Sequence, residues 1–196
     1  MSVTLAVRTL IWPVAVALTI TACSAATIIS KVDISHNYQP LALGRFHGGD
    51  NAMGVVGFGS PFGDPAAQVA NTVVASMQGH NGGARMTFTT ATEPPPRPRW
   101  RVVMAINPTE IRDTIKLCKL TEPPTTARSV DGKVRILAAF CQGDYAASQA
   151  TGRATGVTSL DSPKFDDLVA RLTRTLFPAR NPHDDRGRRC RIFPCF

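Results

Sequence analysis

Serine, histidine and aspartate side chains that could support hydrolysis are present, but their spacing matches no catalytic motif. Ser60 lies between a predicted strand and a predicted helix, yet Phe58 and Phe62 occupy positions that a nucleophile elbow requires to be glycine. The adjacent aspartates Asp166-Asp167 and Asp184-Asp185 would point in different directions on a helix. The histidines fall on predicted turns and tails without a nucleophile in suitable context: His36, His47, His80 and His183. We therefore predict a non-enzymatic protein, with a hydrolase assembled only in three dimensions as the weaker alternative.

A glycine-rich loop at residues 57–63 lies between a predicted strand and a predicted helix, where phosphate-binding loops occur. The loop matches neither glycine fingerprint, because no Lys-Ser/Thr pair follows it and Pro61 lacks an amide hydrogen. We interpret it as a turn that leads into the helix. No cofactor is predicted, and the lack of CxxC and HxxxH spacings argues against a bound metal.

The first two dozen residues predict export from the cytoplasm. A short start that carries Arg8 leads into an apolar run at residues 10–20, which is the layout of a secretory signal peptide. The run contains Pro13 and is about half the length that a membrane-spanning helix needs. A transmembrane segment is therefore not predicted here.

The residues Ile20-Thr21-Ala22-Cys23 resemble the lipobox of bacterial lipoproteins. The resemblance implies that residues 1–22 are a signal peptide and that Cys23 is lipidated, becomes the new N-terminus and anchors the chain in a membrane. Ser24 is not the aspartate associated with inner-membrane retention in that family, so the resemblance favours the periplasmic face of the outer membrane over the inner membrane. Cleavage elsewhere, for example after Ala26, would instead release a soluble periplasmic protein.

Four cysteines follow Cys23, and an even number in an oxidising compartment predicts two disulfides. Four cysteines allow three pairings. Proximity in sequence favours Cys118 with Cys141 in the body of the domain and Cys190 with Cys195 in the C-terminal tail.

The net charge of +8 is concentrated late in the sequence, where a basic tail could bind a partner. Arginine and aromatic side chains are enriched at binding hot spots. The candidate partner-binding residues are Arg186, Arg188, Arg189, Arg191, Phe193 and Phe196. An exported protein rarely meets nucleic acid, so we expect an envelope protein, or an anionic lipid or glycan, as the partner. A frayed basic terminus, held to the body by its phenylalanines, is the alternative.

Two amphipathic helices are predicted from their start signals and apolar stripes. The first begins at Asp64-Pro65, with Asp64 as the cap, and places Val69, Val73 and Met77 on one face. The second begins at Ser162-Pro163 and ends before Pro178. Its apolar stripe comprises Phe165, Leu168, Val169, Leu172 and Leu176. A capping box at Asn107 to Glu110 predicts a further short helix.

Short apolar or alternating runs predict strands at residues 53–58, 85–90, 100–106, 133–141 and 145–153. The fold class is therefore α/β (α+β): a two-layer domain with a mixed or antiparallel sheet of about five strands and two main helices on one face. We divide the chain into a signal peptide (1–22), a tether with an irregular lead-in (23–50), one globular domain (51–178) and a basic, cysteine-containing tail (179–196). The favoured function is an accessory or scaffolding subunit anchored to a membrane, and the alternative is a periplasmic binding module for an anionic lipid or glycan.

Overall fold

The structure, a computed structural model, describes residues 27–39, 52–83, 85–90 and 100–184. Its strands are β1 (Ile28–Ile34), β2 (Ala52–Phe58), β3 (Thr87–Thr89), β4 (Trp100–Ile106), β5 (Val134–Gln142) and β6 (Tyr145–Ala154). The helices are α1 (Ala66–Met77), α2 (Pro163–Leu176) and a 3₁₀-helix (Thr114–Lys119).

The strands form one six-stranded sheet in the order β1-β6-β5-β4-β2-β3. Strand β2 runs parallel to both β3 and β4, whereas the other neighbouring strands are antiparallel. The predicted mixed α/β fold is therefore confirmed, with six strands instead of about five. Neither α-helix in the described ranges combines the length and apolarity that crossing a bilayer requires.

The additional strand, β1, lies within residues 23–50, where the sequence predicted an irregular lead-in. Its pairing with β6 is interrupted between Ser30 and Asp33, and Lys31 adopts a positive φ of 49°. This bulge breaks the two-residue alternation by which a strand is recognised from sequence. The bulge therefore explains why the sequence did not predict β1.

One face of the sheet forms the main core with α1 and α2. The predicted stripe of α2 is buried in full, as are Val69, Val73 and Met77 of α1. Gly152 of β6 lets α2 approach closely, because a Cβ atom there would lie 2.7 Å from Leu168 and 2.9 Å from Leu172. Both predicted helices are therefore confirmed on the same face of the sheet.

The 3₁₀-helix covers the opposite face, where it adds a partial third layer. Leu117 and Cys118 pack there with Val103, Leu137 and Ala139. A buried hydrogen bond from Thr114 to Gln149 and a second from Gln149 to Asp33 connect the 3₁₀-helix to β6 and β1.

Of the N-caps predicted from the sequence, the structure confirms only one. Ser162 caps α2, accepting a hydrogen bond from the amide of Lys164 at 3.4 Å. The predicted cap at Asp64 is wrong, because Pro65 occupies the N-cap position of α1 and no side chain caps that helix. The predicted capping box at Asn107 is also wrong: the Asn107 Oδ1 accepts from the amide of Arg135 at 2.7 Å, and the helical turn begins only at Thr114.

Candidate functional site

Cys118 and Cys141 form a disulfide that joins the 3₁₀-helix to β5. Both residues are fully buried, so the bond belongs to the core of this face. The predicted pairing is therefore confirmed for these two cysteines. Cys190 and Cys195 lie outside the described residues, as does the lipidation candidate Cys23.

The glycine-rich loop at residues 57–63 packs against neighbouring backbone. A Cβ atom on Gly59 would clash with the carbonyl oxygen of Ile106, and the amide of Ser129 donates to the carbonyl of Pro61 at 2.7 Å. The hydroxyl of Ser60 donates to the backbone carbonyl of Asp64 at 2.8 Å. Ser60 thus stabilises the turn that leads into α1.

The histidines of the described ranges make structural contacts. The rings of His36 and His183 stack with centroids 3.8 Å apart, and the His183 Nε2 donates to the carbonyl of Ile34 at 2.7 Å. The Arg174 guanidinium donates to the Nδ1 of His80 at 3.1 Å. Neither hydrogen bond involves a nucleophile, and His47 lies outside the described residues. Within those residues, no group of three or more His, Cys, Asp or Glu side chains is arranged to hold a metal.

Residues 178–184, here called the C-terminal strap, are bound to the segment that follows β1. The side-chain amide nitrogen of Asn181 (Nδ2) donates to the backbone carbonyls of Ser35 at 3.1 Å, His36 at 3.0 Å and Tyr38 at 2.9 Å. The Tyr38 hydroxyl donates back to the carbonyl of Pro178 at 3.1 Å, and burial raises the pKa of this phenol. These contacts fix the position from which the basic tail departs. The tail candidates themselves lie outside the described residues: Arg186, Arg188, Arg189, Arg191, Phe193 and Phe196.

A cavity bordered by cationic side chains, here called the cationic cavity and not predicted from the sequence, lies at the opposite end of β6 from the β5–β6 turn. Arg135 of β5 and Arg153 of β6 are directly opposite each other in the antiparallel ladder. The cavity has a volume of about 270 Å³, and its polar lining comprises Asn107, Lys133, Arg135, Arg153 and Thr155. The apolar stems of Arg135 and Arg153, in adjacent strands, thus line one open concave surface that has little exposed polar area of its own.

Arg135 is held in place on this surface by hydrogen bonds. Its guanidinium donates to the carbonyl of Pro108, while its backbone exchanges hydrogen bonds with Asn107. Burial lowers the pKa of the Arg135 guanidinium, and the positive charges of Arg153 and Arg112 lower it further. Lys133 forms an exposed ion pair with Asp131 at 3.5 Å. In the described part of the chain, no carboxylate forms an ion pair with Arg135 or Arg153.

The cavity was missed for a physical reason. Its residues are not adjacent in sequence, and the pairing of Arg135 with Arg153 depends on a register shift between Phe140 and Cys141. An unshifted hairpin that continued the pairing of Gln142 with Tyr145 would place Gly152 opposite Arg135. In the sequence, the only indication of this site is that Arg135 and Arg153 lie in two predicted strands.

No family model matches the chain, and no curated protein matches it. Among solved structures, the chain is similar to the PelC dodecamer from Paraburkholderia phytofirmans at 12% sequence identity over 78% of its length. One PelC structure, of a variant with a single substitution, has a TM-score of 0.41 and is covered over 99% of its chain. A second has a TM-score of 0.39 and is covered over 98%. A similarity of this degree carries no argument about function.

Proposed function

We propose that the protein is a non-enzymatic accessory or scaffolding subunit of the cell envelope, anchored to a membrane through acylated Cys23. The observation that carries the proposal is the disulfide between Cys118 and Cys141. Structural disulfides persist in secreted and periplasmic proteins, whereas reducing systems keep cytosolic thiols free. The bond therefore supports the export that the N-terminal sequence predicts.

A docking role is favoured over catalysis by the uses of the candidate catalytic side chains. Ser60 stabilises a turn, His183 binds a backbone carbonyl and His80 binds an arginine. A nucleophile needs a base within hydrogen-bond reach, and these side chains are engaged elsewhere. In the described residues, these three side chains therefore stabilise the fold and are not arranged as a catalytic group.

The start of the folded body is compatible with attachment close to a membrane. The first described residue, Thr27, lies close enough to Asp167, near the beginning of α2, to help lower the pKa of that carboxyl. The few residues from Cys23 to Thr27 span about 14 Å when fully extended. An acylated Cys23 would therefore hold the body near the headgroup layer, with little freedom to move away.

The C-terminal strap supports a binding role for the basic tail. Because Asn181 and Tyr38 attach the strap to the body, residues 185–196 depart from a fixed position. A fixed origin lowers the entropy that is lost when a short segment docks on a partner. We infer that the tail binds an envelope protein through its arginines and phenylalanines.

Acylation is tested by metabolic labelling with an alkyne analogue of palmitate. We expect the wild-type chain to be labelled and recovered with membranes, and Cys23→Ala to be unlabelled. Cys190→Ala is the matched control, because it also removes one cysteine but should leave labelling unchanged. A wild-type chain without label, recovered from the cytosol with its cysteines reduced, would contradict the proposal.

Partner binding is tested by affinity purification from membranes. Deletion of residues 186–196 should abolish co-purification of the partner without lowering the melting temperature. A full-length variant with Lys116→Gln, Lys119→Gln, Arg128→Gln and Arg180→Gln removes the same number of positive charges from exposed positions and is the control for general loss of charge. If the deletion leaves the co-purified proteins unchanged, the tail does not carry the interaction.

The alternative function is a periplasmic binding module for an anionic lipid or glycan. One specific observation favours it, namely the cavity that Arg135 and Arg153 share. This alternative requires binding at the cavity and does not require the tail. The two functions are therefore separable by variants in two different parts of the chain.

A further inference from the structure

The pairing of Arg135 with Arg153 is unfavourable in the free protein. Like charges directly opposite each other in an antiparallel ladder destabilise the sheet. The described residues supply no ion-pair partner to either guanidinium, and the charge of Arg153 lowers the pKa of Arg135. An anion bound between the two side chains would remove this repulsion.

Asn107 holds the backbone of Arg135 in a fixed position. Its positive φ of 49° lies in the left-handed region, which asparagine adopts more readily than most residues other than glycine. In this conformation its amide donates to the carbonyl of Arg135 at 2.7 Å, and its side chain accepts from the amide of Arg135 at 2.7 Å. Arg135 is thus positioned before any ligand arrives.

We propose that this cavity binds a phosphate group, with Arg135 and Arg153 as its direct ligands and Lys133 at its rim. A guanidinium presents a planar fork of donors that matches the oxygens of phosphate, and such charge-assisted pairs are among the strongest hydrogen bonds in proteins. Two guanidiniums complement the charge of a phosphate monoester better than that of a single carboxylate. The cavity of about 270 Å³ is lined mainly by apolar stems, so it accommodates the small substituent of a phosphate ester, with the phosphate itself at the guanidiniums, and not a macromolecule.

Two sources of phosphate fit the position of the cavity: a lipid headgroup and a small soluble phosphate ester. Ile28, the first residue of β1, pairs with Arg153 and is 56% exposed, so the cavity lies at the end of the sheet where the chain enters β1. The lipidation candidate Cys23 precedes Ile28 by only a few residues, which would bring the cavity close to a bilayer surface. The phosphate site goes beyond the proposed anchoring and docking role, and its binding of a soluble phosphate does not require acylation.

The proposal is tested by calorimetric titration of the full-length chain in a neutral detergent. The probes are inorganic phosphate, glycerol 3-phosphate, sodium acetate and monomeric dihexanoyl phosphatidic acid, whose headgroup is a phosphate monoester. We expect the phosphate compounds to bind more tightly than acetate. Binding of the short-chain lipid identifies a headgroup as a source, whereas binding of only the two soluble phosphates identifies a soluble ester. Both outcomes support the phosphate site.

The decisive variant is Arg153→Gln, because Arg153 is exposed and its loss relieves the repulsion of Arg135. We expect its affinity for phosphate to fall by about tenfold or more, which corresponds to the loss of one charge-assisted hydrogen bond. Its melting temperature in phosphate-free buffer should be no lower than that of the wild type. Arg180→Gln removes the same charge from an exposed position outside the cavity lining and should bind phosphate as the wild type does.

Arg135→Lys provides a second test, since it keeps the positive charge and removes the fork of donors. A weakened affinity for phosphate in this variant supports recognition by the guanidinium. The proposal is overturned if the wild-type chain does not bind phosphate at millimolar concentration, if acetate binds equally well, or if Arg153→Gln and Arg180→Gln retain the same affinity.

Discussion

The side-chain nitrogen of Asn181 lies 2.9 Å from the carbonyl oxygen of Tyr38, although 143 residues separate the two in sequence. The same nitrogen donates to the carbonyls of Ser35 and His36, so its two hydrogens serve three acceptors. Asn181 is only 1% exposed, and water cannot replace these bonds. This one side-chain amide thus supplies three of the hydrogen bonds that join the C-terminal strap to the segment after β1, beside the bond from the Tyr38 hydroxyl to Pro178.

Replacing Asn181 by aspartate should destabilise the protein strongly. The substitution Asn181→Asp removes the donors and directs a carboxylate at three carbonyl oxygens. We expect a loss of about 2–4 kcal/mol in the free energy of unfolding, measured by chemical denaturation at neutral pH. Asn37→Asp makes the same chemical change at an exposed position and should alter stability by less than about 0.5 kcal/mol. Equal effects of the two substitutions would show that the strap is not held by Asn181.

Reduction of the disulfide between Cys118 and Cys141 should weaken the domain. The two residues are 23 positions apart, and closing a loop of that length contributes about 3 kcal/mol in the chain-entropy treatment. We expect reductant to lower the denaturation midpoint of the wild type and to leave that of a Cys118→Ala, Cys141→Ala variant unchanged.

The tail cysteines provide the control for this measurement. A Cys190→Ser, Cys195→Ser variant should remain as sensitive to reductant as the wild type. If that variant loses its sensitivity, the stabilising bond is in the tail and not between Cys118 and Cys141.

The close contact of α2 with β6 predicts an unequal response of two strand glycines to alanine. At Gly152 the new methyl group would lie 2.7 Å from the Leu168 side chain, so Gly152→Ala should cost about 1–3 kcal/mol through overpacking. At Gly54 no atom lies within 4 Å of the added Cβ, and Gly54→Ala should change stability by less than about 0.5 kcal/mol. Thermal denaturation of the two variants checks this difference. A Gly152→Ala protein as stable as the wild type would mean that α2 sits further from the sheet.

The ion pair between Asp167 and Arg171 predicts a small stability change with a defined pH dependence. Burial opposes ionisation of Asp167, but hydrogen bonds from Arg171 and Thr27 and the charges of Arg171 and Arg174 together lower its pKa. A lowered pKa in the folded state stabilises the protein above the unfolded-state pKa of about 3.9. This contribution is lost as the pH falls through the lowered folded-state pKa.

Because both side chains of the pair are substantially exposed, Asp167→Asn should cost no more than about 0.5 kcal/mol at pH 7. Urea denaturation from pH 7 down to pH 2 should show the wild type and Asp167→Asn converging at the acidic end. Asp144→Asn, in the exposed turn between β5 and β6, is the matched control and should give no such convergence. A difference that grows on acidification would contradict the assignment.

The elements that the sequence predicts well are those with local, self-consistent signals. Helix α2 has a Ser-Pro start and a continuous apolar stripe, and the structure buries that stripe in full. Proximity in sequence alone favours the pairing of Cys118 with Cys141, and the structure joins them. Local pattern therefore accounts for the fold class, both α-helices and this disulfide.

The features that the sequence did not predict depend on distant contacts. Asn107 and Glu110 have the spacing of a capping box, but Asn107 binds Arg135, which lies 28 residues away. The cationic cavity likewise depends on the shifted register of β5 and β6, which no residue of either strand reveals by itself. The lipid anchor at Cys23 and the binding role of the tail stay predictions.

The arrangement of β1 also constrains the order of events during synthesis. Its neighbour in the sheet is β6, and the hydrogen bond between Asp33 and Gln149 joins residues 116 positions apart. A nascent chain therefore makes β1 well before the strand that will pair with it, and Asn181 arrives later still. Until then β1 carries unpaired backbone donors and acceptors, and the sheet's outer strand can be paired only when nearly the whole domain is available.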